Sequence, residues 1–488
     1  MNVAFNNTYI HLPEQLYSRQ APQPVVAPRL IRANRGLARL LGIEPDWLES
    51  AEGVAMVAGN LLPSGAEPIA TVYAGHQFGS FNPQLGDGRA VLLGEVVGND
   101  GVRYDIQLKG SGQTPYSRMG DGRAPLGPVL REYVVSEAMY ALGVPTSRSL
   151  AAVTTGEPVR RQEALPGAVL ARVARSHIRI GTAQFLAARG DREALHALVE
   201  HVINRHYPEA KQAEKPVQKM FELVCAAQAS LVADWQALGF IHGVMNTDNM
   251  LLCGETIDYG PCAFMDSYHV DTVYSSIDHG GRYAYRKQPD IAYWNLACFA
   301  QALVPLLDDS EDKAIQLAKD SLDKFPAYFL AANSAKLQAK LGLRAQDEDE
   351  QLGKDFLNLL QATSSDFTLA FRRLSEIAAN EPTENISNLF EFNDAFTPWL
   401  KRWRTRLGQQ DRSSEAIQAD MLAVNPALIP RNHLVEEAIL AATKEDNFRP
   451  FHQLADALEH PFSYSQKLEH LAKPPRPEQV VTQTFCGT

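Results

Sequence analysis

Hydrophobic positions change their spacing along the chain, and the change divides it into two parts. Between about residues 70 and 174, apolar runs have the length and β-branched content of strands. Such runs occur at 89–97, 103–111, 147–155 and 167–174. After about residue 182, apolar positions recur at helical spacing. The pattern therefore predicts an α+β fold in two lobes, with strands in the first lobe and helices in the second.

One helix interrupts the predicted strands, at 128–143. Pro128 suits its first turn, Gly143 suits its end, and apolar residues fall on one of its faces. A second interruption, at 241–261, is rich in Asn, Asp and Gly and breaks the helical part. It predicts a loop with short flanking strands, and such loops on a rigid scaffold often carry function.

The remaining segments carry less pattern. Residues 1–68 predict an irregular lead-in with a helical stretch at 32–41, and the acidic run 346–351 predicts a solvated turn. The predicted divisions are an N-terminal extension at 1–68, a β-rich N-lobe at 69–180, a helical C-lobe at 181–472 and a flexible tail with Cys486 at 473–488.

Composition narrows the class of protein. The chain has 488 residues, 45% of them hydrophobic, and its formal net charge of -11 lacks the cationic surplus that nucleic-acid binding requires. Its five cysteines form no C-x-x-C pair, which indicates neither a zinc site nor a disulfide framework and fits a reducing compartment. Neither a secretion signal nor a run of about 18 apolar residues is visible. We therefore expect a cytoplasmic protein that binds neither nucleic acid nor membrane.

The first candidate for chemistry is the segment LGDGRA at 85–90. Gly86 and Gly88 allow backbone N–H groups to approach phosphate oxygens closely, and Arg89 adds a cationic fork. The third glycine of the nucleotide-binding fingerprints is missing. An ordinary turn before a strand therefore stays open as the alternative.

A lysine within the predicted strand 103–111 is the second candidate. Lys109 on a sheet, with Glu132 on the following helix, matches the way protein kinases hold phosphate oxygens, because the carboxylate fixes the ammonium group. Glu137 competes as the partner. An edge-strand lysine that points to water is the alternative without a function.

The most specific local signal is HGVMNTDNMLL, followed by TIDYGP. Protein kinases carry H-R-D-x-x-x-x-N and then D-F-G, in which the first Asp takes a hydroxyl proton while the Asn and the second Asp hold metal. Asn249 and Asp258 match the metal pair, but Val244 stands at the position of the proton acceptor. Valine takes no proton, so Asp248 is the carboxylate within the loop that can replace it. A turn at Asp258 and a solvated Asp248 form the structural alternative.

Two arginines complete the candidates. Arg172 lies near the end of the last predicted strand and Arg179 follows in the next loop, where arginines can clamp phosphate oxygens bidentately. Spacing alone leaves surface arginines as an equal alternative.

The strings LGDGRA, QLKGSGQTPYSRMGDGRAPLGPVLREY, HGVMNTDNM and IDYGP together resemble the SelO family, called YdiU in bacteria, from about residue 9 to the last cysteine. The resemblance implies a protein-kinase-like fold in which the nucleotide is flipped, so that its β- and γ-phosphates lie deep and its α-phosphorus faces the acceptor. It implies transfer of AMP from ATP to Ser, Thr or Tyr hydroxyls of proteins, including the chain itself. UMP transfer from UTP is also attributed to bacterial members.

The resemblance also implies a role for each matching residue. Glu132 would hold Lys109, and Asp248 would accept the proton. Asn249 and Asp258 would bind Mg²⁺, or Mn²⁺ in some members. Nucleotide contacts would come from Gly86, Gly88, Arg89, Lys109, Asp121, Gly122, Arg172, Arg179 and Asp258.

Two questions remain open at this level. Members of the family commonly carry a redox-active cysteine near the C-terminus, where Cys486 stands, but the segment 270–285 has no partner cysteine and Cys262 is the nearest candidate. Val244 also leaves two alternatives to AMP transfer. One is a kinase that uses Asp248 as its base, and the other is a catalytically silent scaffold that binds a nucleotide.

Overall fold

The computed structural model describes residues 3–344, 347–379, 386, 394–463 and 465–485. Within them the fold is mixed α/β, with one large antiparallel sheet followed by helices. The strands are β1 Tyr17–Arg19, β2 Arg29–Ala33, β3 Ile69–Gln77, β4 Ser80–Gly86, β5 Ala90–Val97, β6 Arg103–Lys109, β7 Ala124–Pro125, β8 Arg148–Arg160, β9 Ala164–Ala174, β10 Phe240–Ile241 and β11 Ala263–Phe264.

Helices fill most of the rest of the described chain. Those before the loop at 241–261 are α1 Arg35–Leu40, α2 Pro45–Leu48, α3 Ala51–Ala58, α4 Leu126–Ala141, α5 Ile180–Ala187, α6 Arg192–His206 and α7 Pro216–Leu238. Those after it are α8 Gln288–Leu307, α9 Glu311–Leu322, α10 Phe325–Lys340, α11 Asp347–Thr363, α12 Phe367–Glu376, α13 Phe396–Gly408, α14 Ser414–Val424, α15 Asn432–Glu445, α16 Arg449–Leu458 and α17 Glu469–Ala472.

The large sheet has the strand order β1-β3-β5-β6-β9-β8-β2, with β4 added to β3 and β7 to β9. Its central strand, β6, pairs with β5 on one side and β9 on the other, so that Lys109 lies opposite Ala90 and Leu170. Strand neighbours on both sides satisfy the backbone of β6, and its last five residues are buried. The sheet therefore holds the end of β6, with Lys109, in a fixed place.

Apolar residues of the sheet pack on both faces. One face meets α3, where Met56 and Val57 lie in one buried cluster with Leu93 and Leu108. The other face meets α4, which is buried along most of its length. Burial on both faces explains why the sequence of β5 reads as a nearly continuous apolar run.

Helices α5 to α8 form the largest apolar cluster, and the loop at 241–261 crosses it. Phe221 of α7 and Phe299 of α8 meet edge to face at 5.6 Å. The short strands β10 and β11 flank the loop and pair antiparallel, as predicted. The loop is therefore anchored at both ends in a packed helical core.

Most predicted elements are confirmed, with shifted bounds. The four strand-like runs correspond to β5, β6, β8 and β9, and the interrupting helix is α4. It begins two residues before Pro128 and ends two residues before Gly143, which adopts a φ of 84° beyond the helix end. Proline is tolerated within a first turn, so it marks a helix start only to within a few residues.

Two predictions about peripheral segments are wrong. The lead-in is not simply irregular, because β1 pairs with β3 and β2 pairs with β8 in the large sheet. The acidic run begins α11 rather than a solvated turn, and Asp349 is buried in an ion pair with Arg406 at 2.7 Å. Each error has the same cause, since distant partners override a local pattern that is weak.

The tail makes ordered contacts at Thr484, which is buried. The prediction about Cys486 lies outside the described residues. One stretch of the described chain, Tyr285–Leu307, is long and apolar enough to cross a membrane, and half of it is buried inside the protein. Its residues Leu296 and Phe299 belong to the main apolar cluster.

Candidate active site

A cavity of about 880 Å³ opens between the edge of the large sheet and the loop at 241–261. Its walls come from β3, β4, β6, β9, the segment 116–123 and the loop. It brings together residues that lie far apart in sequence, and it contains nearly every predicted site residue. Those lining it are Gly86, Gly88, Arg89, Lys109, Asp121, Gly122, Arg172, Arg179, Asp248, Asn249 and Asp258.

Lys109 forms the predicted pair with Glu132. Its Nζ donates to Glu132 Oε2 at 2.6 Å and to Asp258 Oδ1 at 3.1 Å. Glu132 stands on α4 behind the cavity wall and is buried. Glu137, the competing partner, instead accepts hydrogen bonds from Arg148 and Asn34. Helix α4 therefore places Glu132, which precedes Glu137 by about one helical turn, next to Lys109.

Asp258 is the centre of a buried charge cluster. Arg172 Nη1 lies 2.8 Å from Oδ1, and Arg179 Nη1 lies 3.0 Å from Oδ2. Burial opposes ionisation, but Lys109, Arg172 and Arg179 together hold the pKa of Asp258 well below its usual range. With a φ of 63° the residue is also in the left-handed region, a strained backbone that functional loops often contain.

Glu132 completes the balance of charge in this cluster. Arg172 Nη1 lies 3.1 Å from Glu132 Oε1, so the two carboxylates of the cluster share the cations Lys109 and Arg172. Desolvation would raise the pKa of Glu132, but Lys109 and Arg172 lower it. A third carboxylate, Asp87, lies 3.7 Å from Arg179. Further arginines line the cavity, so basic side chains outnumber acidic ones there and suit an anionic ligand.

Asp248 lies in the short 3-10 turn Thr247–Asn249 and is buried. Burial raises its pKa to about 6, although Arg179 acts in the opposite direction. Gln77 Nε2 lies 3.3 Å from its Oδ2, and within the described part of the chain its Oδ1 has no hydrogen-bond partner. A carboxylate with an unused oxygen in a cavity can accept a proton from a ligand hydroxyl.

Two polar contacts fix the backbone of this loop. Arg179 Nη1 donates to the carbonyl oxygen of Asp248 at 2.6 Å. His242 Nε2 lies 2.8 Å from the carbonyl oxygen of Ile257, which joins the loop to the residue before Asp258. His242 is buried, so it supports the loop from behind and does not face the cavity.

Asn249 and Asp258 offer a pair of oxygen donors. The Asn249 Nδ2 group donates to the carbonyl oxygen of Val244 at 2.9 Å, which uses the amide nitrogen and leaves the amide oxygen for a cation. Amide and carboxylate oxygens are ligands that Mg²⁺ prefers, with water and phosphate oxygens completing its shell. Among the described residues no group of three or more His, Cys, Asp or Glu side chains could hold a metal alone.

The glycines at the cavity edge are required by close packing. A Cβ atom on Gly86 would lie 2.5 Å from the ring of Tyr116, and Gly86 has a φ of 152°. A Cβ atom on Gly122, where φ is 67°, would lie 2.0 Å from the carbonyl oxygen of Gly112. The segment 116–123 thus lies directly against β4 and forms one wall of the cavity.

Several residues that support the site, Arg161, His76, Phe78, Asn246 and Thr247, were not predicted from the sequence. Asp121 is held by Arg161, whose Nη1 and Nη2 lie 2.9 and 3.2 Å from its two oxygens. The end of β3 and the turn after it are hydrogen-bonded to the loop. The His76 N–H donates to Thr247 Oγ1 at 2.7 Å, and the Phe78 N–H donates to Asn246 Oδ1 at 3.1 Å. No spacing in the sequence indicates these contacts.

Gly75 provides a test of the position of Asp248. A Cβ atom on Gly75 would lie 2.4 Å from Asp248 Oδ1, so Gly75→Ala must displace a carboxylate that is buried and has little room to move. We expect a reaction that uses this carboxylate to slow at least about tenfold, because even about 1 Å of misplacement can cost a reacting group that much. Steady-state kinetics of the variant measures this.

Gly408→Ala is the matched control, because an added methyl group there would meet nothing within 4 Å and the residue does not line the cavity. Turnover of this control should equal that of the unmodified protein. Equal turnover in Gly75→Ala would mean that the position of Asp248 is irrelevant to the reaction.

Comparison with known proteins identifies the class: the chain is an enzyme that transfers nucleotides. It is 59% identical over 487 residues to the protein nucleotidyltransferase YdiU of Rhodopseudomonas palustris strain BisB5, covering 99% of both chains. The YdiU protein of Bradyrhizobium sp. strain BTAi1 is 55% identical over 485 residues, again with 99% of both covered. The family model described as protein adenylyltransferase SelO matches residues 1–459. The chain therefore belongs to the SelO family.

Proposed function

We propose that this enzyme transfers AMP from ATP to Ser, Thr or Tyr hydroxyls of proteins and releases pyrophosphate. The observation that carries the proposal is the burial of the cations at the inner side of the cavity. The side chains of Lys109, Arg172 and Arg179 are 11%, 2% and 4% exposed. Asp121, at the outer side, is 41% exposed.

A triphosphate carries most of its negative charge at its terminal end, so a buried cationic pocket attracts that end. The β- and γ-phosphates then lie against Lys109, Arg172 and Arg179, and the nucleoside points outward toward Asp121 and Gly122. In this orientation the α-phosphorus is, of the three phosphorus atoms, the one nearest the mouth of the cavity. This is the flipped orientation expected from the resemblance to the SelO family, and the description of that family as protein adenylyltransferase supports transfer of AMP.

In the absence of a nucleotide, Asp258 satisfies the cations that we assign to the phosphates. When phosphate oxygens enter, Lys109 and the arginines gain new anionic partners, and Asp258 becomes available for a metal ion. We propose that Asn249 and Asp258 hold Mg²⁺ or Mn²⁺. Such an ion would neutralise charge that develops on the leaving pyrophosphate.

Asp248 is the proposed proton acceptor. It needs to orient the acceptor hydroxyl and to take the hydroxyl proton during attack on the α-phosphorus. Its raised pKa, near 6, makes the Asp248 carboxylate a better base than a solvent-exposed carboxylate. Val244 lines the cavity but cannot take this role. Positioning by the loop contributes as much as basicity, because the reaction needs an in-line approach.

The finer parts of the proposal concern architecture, location and nucleotide. We propose a protein-kinase-like arrangement of two lobes, 69–180 and 181–472, which the succession of sheet and helices supports. We propose a cytoplasmic enzyme, since Cys225, Cys253 and Cys298 are free thiols. UTP is a second proposed substrate, because the relatives' name, protein nucleotidyltransferase, does not restrict the base.

AMP transfer and phosphate transfer differ in the phosphorus atom that stays on the acceptor protein. The α-phosphorus stays after AMP transfer, whereas the γ-phosphorus stays after the action of a kinase. ATP labelled at one phosphate at a time therefore separates the two reactions.

A further inference from the structure

The C-terminal segment 480–485 reaches back to the candidate active site. Thr484 is 1% exposed and makes three hydrogen bonds to segments that surround the site. Its N–H donates to the carbonyl oxygen of Tyr274 at 2.8 Å, its carbonyl oxygen accepts from Ser276 N–H at 3.0 Å, and its Oγ1 donates to the carbonyl oxygen of Pro261 at 2.6 Å.

The Pro261 carbonyl lies where two functional loops meet. Pro261 lines the cavity and follows Asp258 by three residues. A Cβ atom on Gly243 would lie 2.6 Å from the Pro261 oxygen, so this carbonyl is packed directly against the loop that carries Asp248. The hydroxyl of Thr484 therefore fixes an atom that contacts both the metal-binding and the proton-accepting parts of the proposed site.

A second route runs through the segment 274–283. Asp278 accepts hydrogen bonds from the backbone N–H groups of Arg282 and Tyr283, at 2.8 Å each. The Tyr283 hydroxyl donates to Asn246 Oδ1 at 2.6 Å, two residues before Asp248. By pairing with Tyr274 and Ser276, the tail holds the first part of a segment whose far end holds the proton-accepting loop.

We propose that Thr484 is a positioning residue for nucleotide transfer, acting through the Pro261 carbonyl and the segment 274–276; this inference rests on the proposed function. The segment 480–485 is therefore a functional part of the proposed active site. In the tail-docked conformation Lys109 is paired with Glu132 and the cavity is open, so docking accompanies an assembled site.

Loss of the Thr484 hydroxyl should weaken the docking of the tail against Pro261. The Pro261 residue is buried, and a buried carbonyl that loses its donor is destabilised. A loss of about 1.4 kcal/mol corresponds to a tenfold change in the docked population. Thr484→Val keeps the shape of the side chain and removes the donor, whereas Thr484→Ser keeps the donor.

The experiment compares Thr484→Val, Thr484→Ser and the control Thr482→Val, which changes an exposed threonine of the same tail. We expect Thr484→Val to lower kcat roughly tenfold with less than about a twofold change in the Kd for ATP. Hydrogen exchange at the Ser276 amide should rise by a similar factor. Thr484→Ser should recover most of kcat, and Thr482→Val should match the unmodified protein.

Unchanged kcat and unchanged exchange at Ser276 in Thr484→Val would overturn the inference. So would a Thr484→Ser variant as slow as Thr484→Val, because the hydroxyl would then not be the group that acts. If the unmodified protein transfers no nucleotide, the proposed function fails, and hydrogen exchange still decides whether Thr484 holds the segment 274–276. A Thr484→Val protein that does not fold is replaced in the comparison by Thr484→Ala.

Discussion

Asp258→Asn should reduce nucleotide transfer by on the order of a thousandfold, because it replaces the charged member of the proposed metal-ligand pair with a neutral amide and removes the negative charge at the centre of the cationic cluster. The amide keeps the size of the side chain, so the change is mainly electrostatic. Transfer measured at saturating ATP and metal tests this expectation.

The same substitution should also destabilise the protein. Lys109 and Arg172 keep Glu132, but Arg179 loses its contact at 3.0 Å and its remaining carboxylate neighbour, Asp87, lies 3.7 Å away. Breaking a buried ion pair by removing one partner typically costs about 3–5 kcal/mol of unfolding free energy. Because phosphate oxygens can replace the lost carboxylate, ATP should stabilise the variant more than it stabilises the unmodified protein.

Asp266→Asn is the control for Asp258→Asn. Asp266 is also a largely buried carboxylate paired with an arginine, Arg431, at 2.6 Å, but it does not line the cavity. This control should lose stability while keeping the transfer rate of its folded fraction. An Asp258→Asn enzyme as active as Asp266→Asn would remove Asp258 from the mechanism.

Asp248→Asn is expected to lower kcat by about 10²–10⁴-fold, the usual range for loss of a general base, while ATP binds as before. The side chain keeps its volume and can still contact Gln77, so the loop should stay in place. Single-turnover kinetics separates the chemical step from binding. Wild-type turnover in this variant would assign proton acceptance to another group or to solvent.

A second readout distinguishes loss of a base from loss of structure. Asp248 is held on its backbone by Arg179, and the hydrogen bond from Gln77 needs an oxygen acceptor that Asn also provides. The thermal midpoint of Asp248→Asn should therefore equal or exceed that of the unmodified protein, because burial of this carboxylate opposes its ionisation. A marked fall in the midpoint would indicate a structural role instead.

Local sequence pointed to the candidate residues of the inner part of the site, and the resemblance to the SelO family chose between the alternatives. Lys109 lies on a strand that the sequence alone predicts, and Glu132 lies on the helix that follows this strand. The two residues of the pair therefore come from neighbouring elements. Asn249 and Asp258 flank a short loop whose composition departs from the helices around it. The ion pairs of Arg172 and Arg179 with Asp258 were not predicted, because they join separate segments of the chain.

The supporting contacts could not be predicted, because they join segments that share no local pattern. Thr484 and Pro261 are separated by 223 positions, and Arg161 and Asp121 by 40. Strand β2 was missed because an edge strand of five residues has a weak alternation that only pairing with β8 stabilises. Such contacts become visible only when the folded chain brings the segments together.

ATP labelled at one phosphate at a time shows most directly which part of the nucleotide is transferred to protein. Incubated with the enzyme, an acceptor protein and Mg²⁺, ATP labelled at the α-phosphate should leave label on protein that survives denaturation. ATP labelled at the γ-phosphate should release its label as pyrophosphate and leave none on protein. Protein labelled from the γ-phosphate would contradict AMP transfer and indicate a kinase, and protein labelled from neither would indicate a silent nucleotide-binding scaffold.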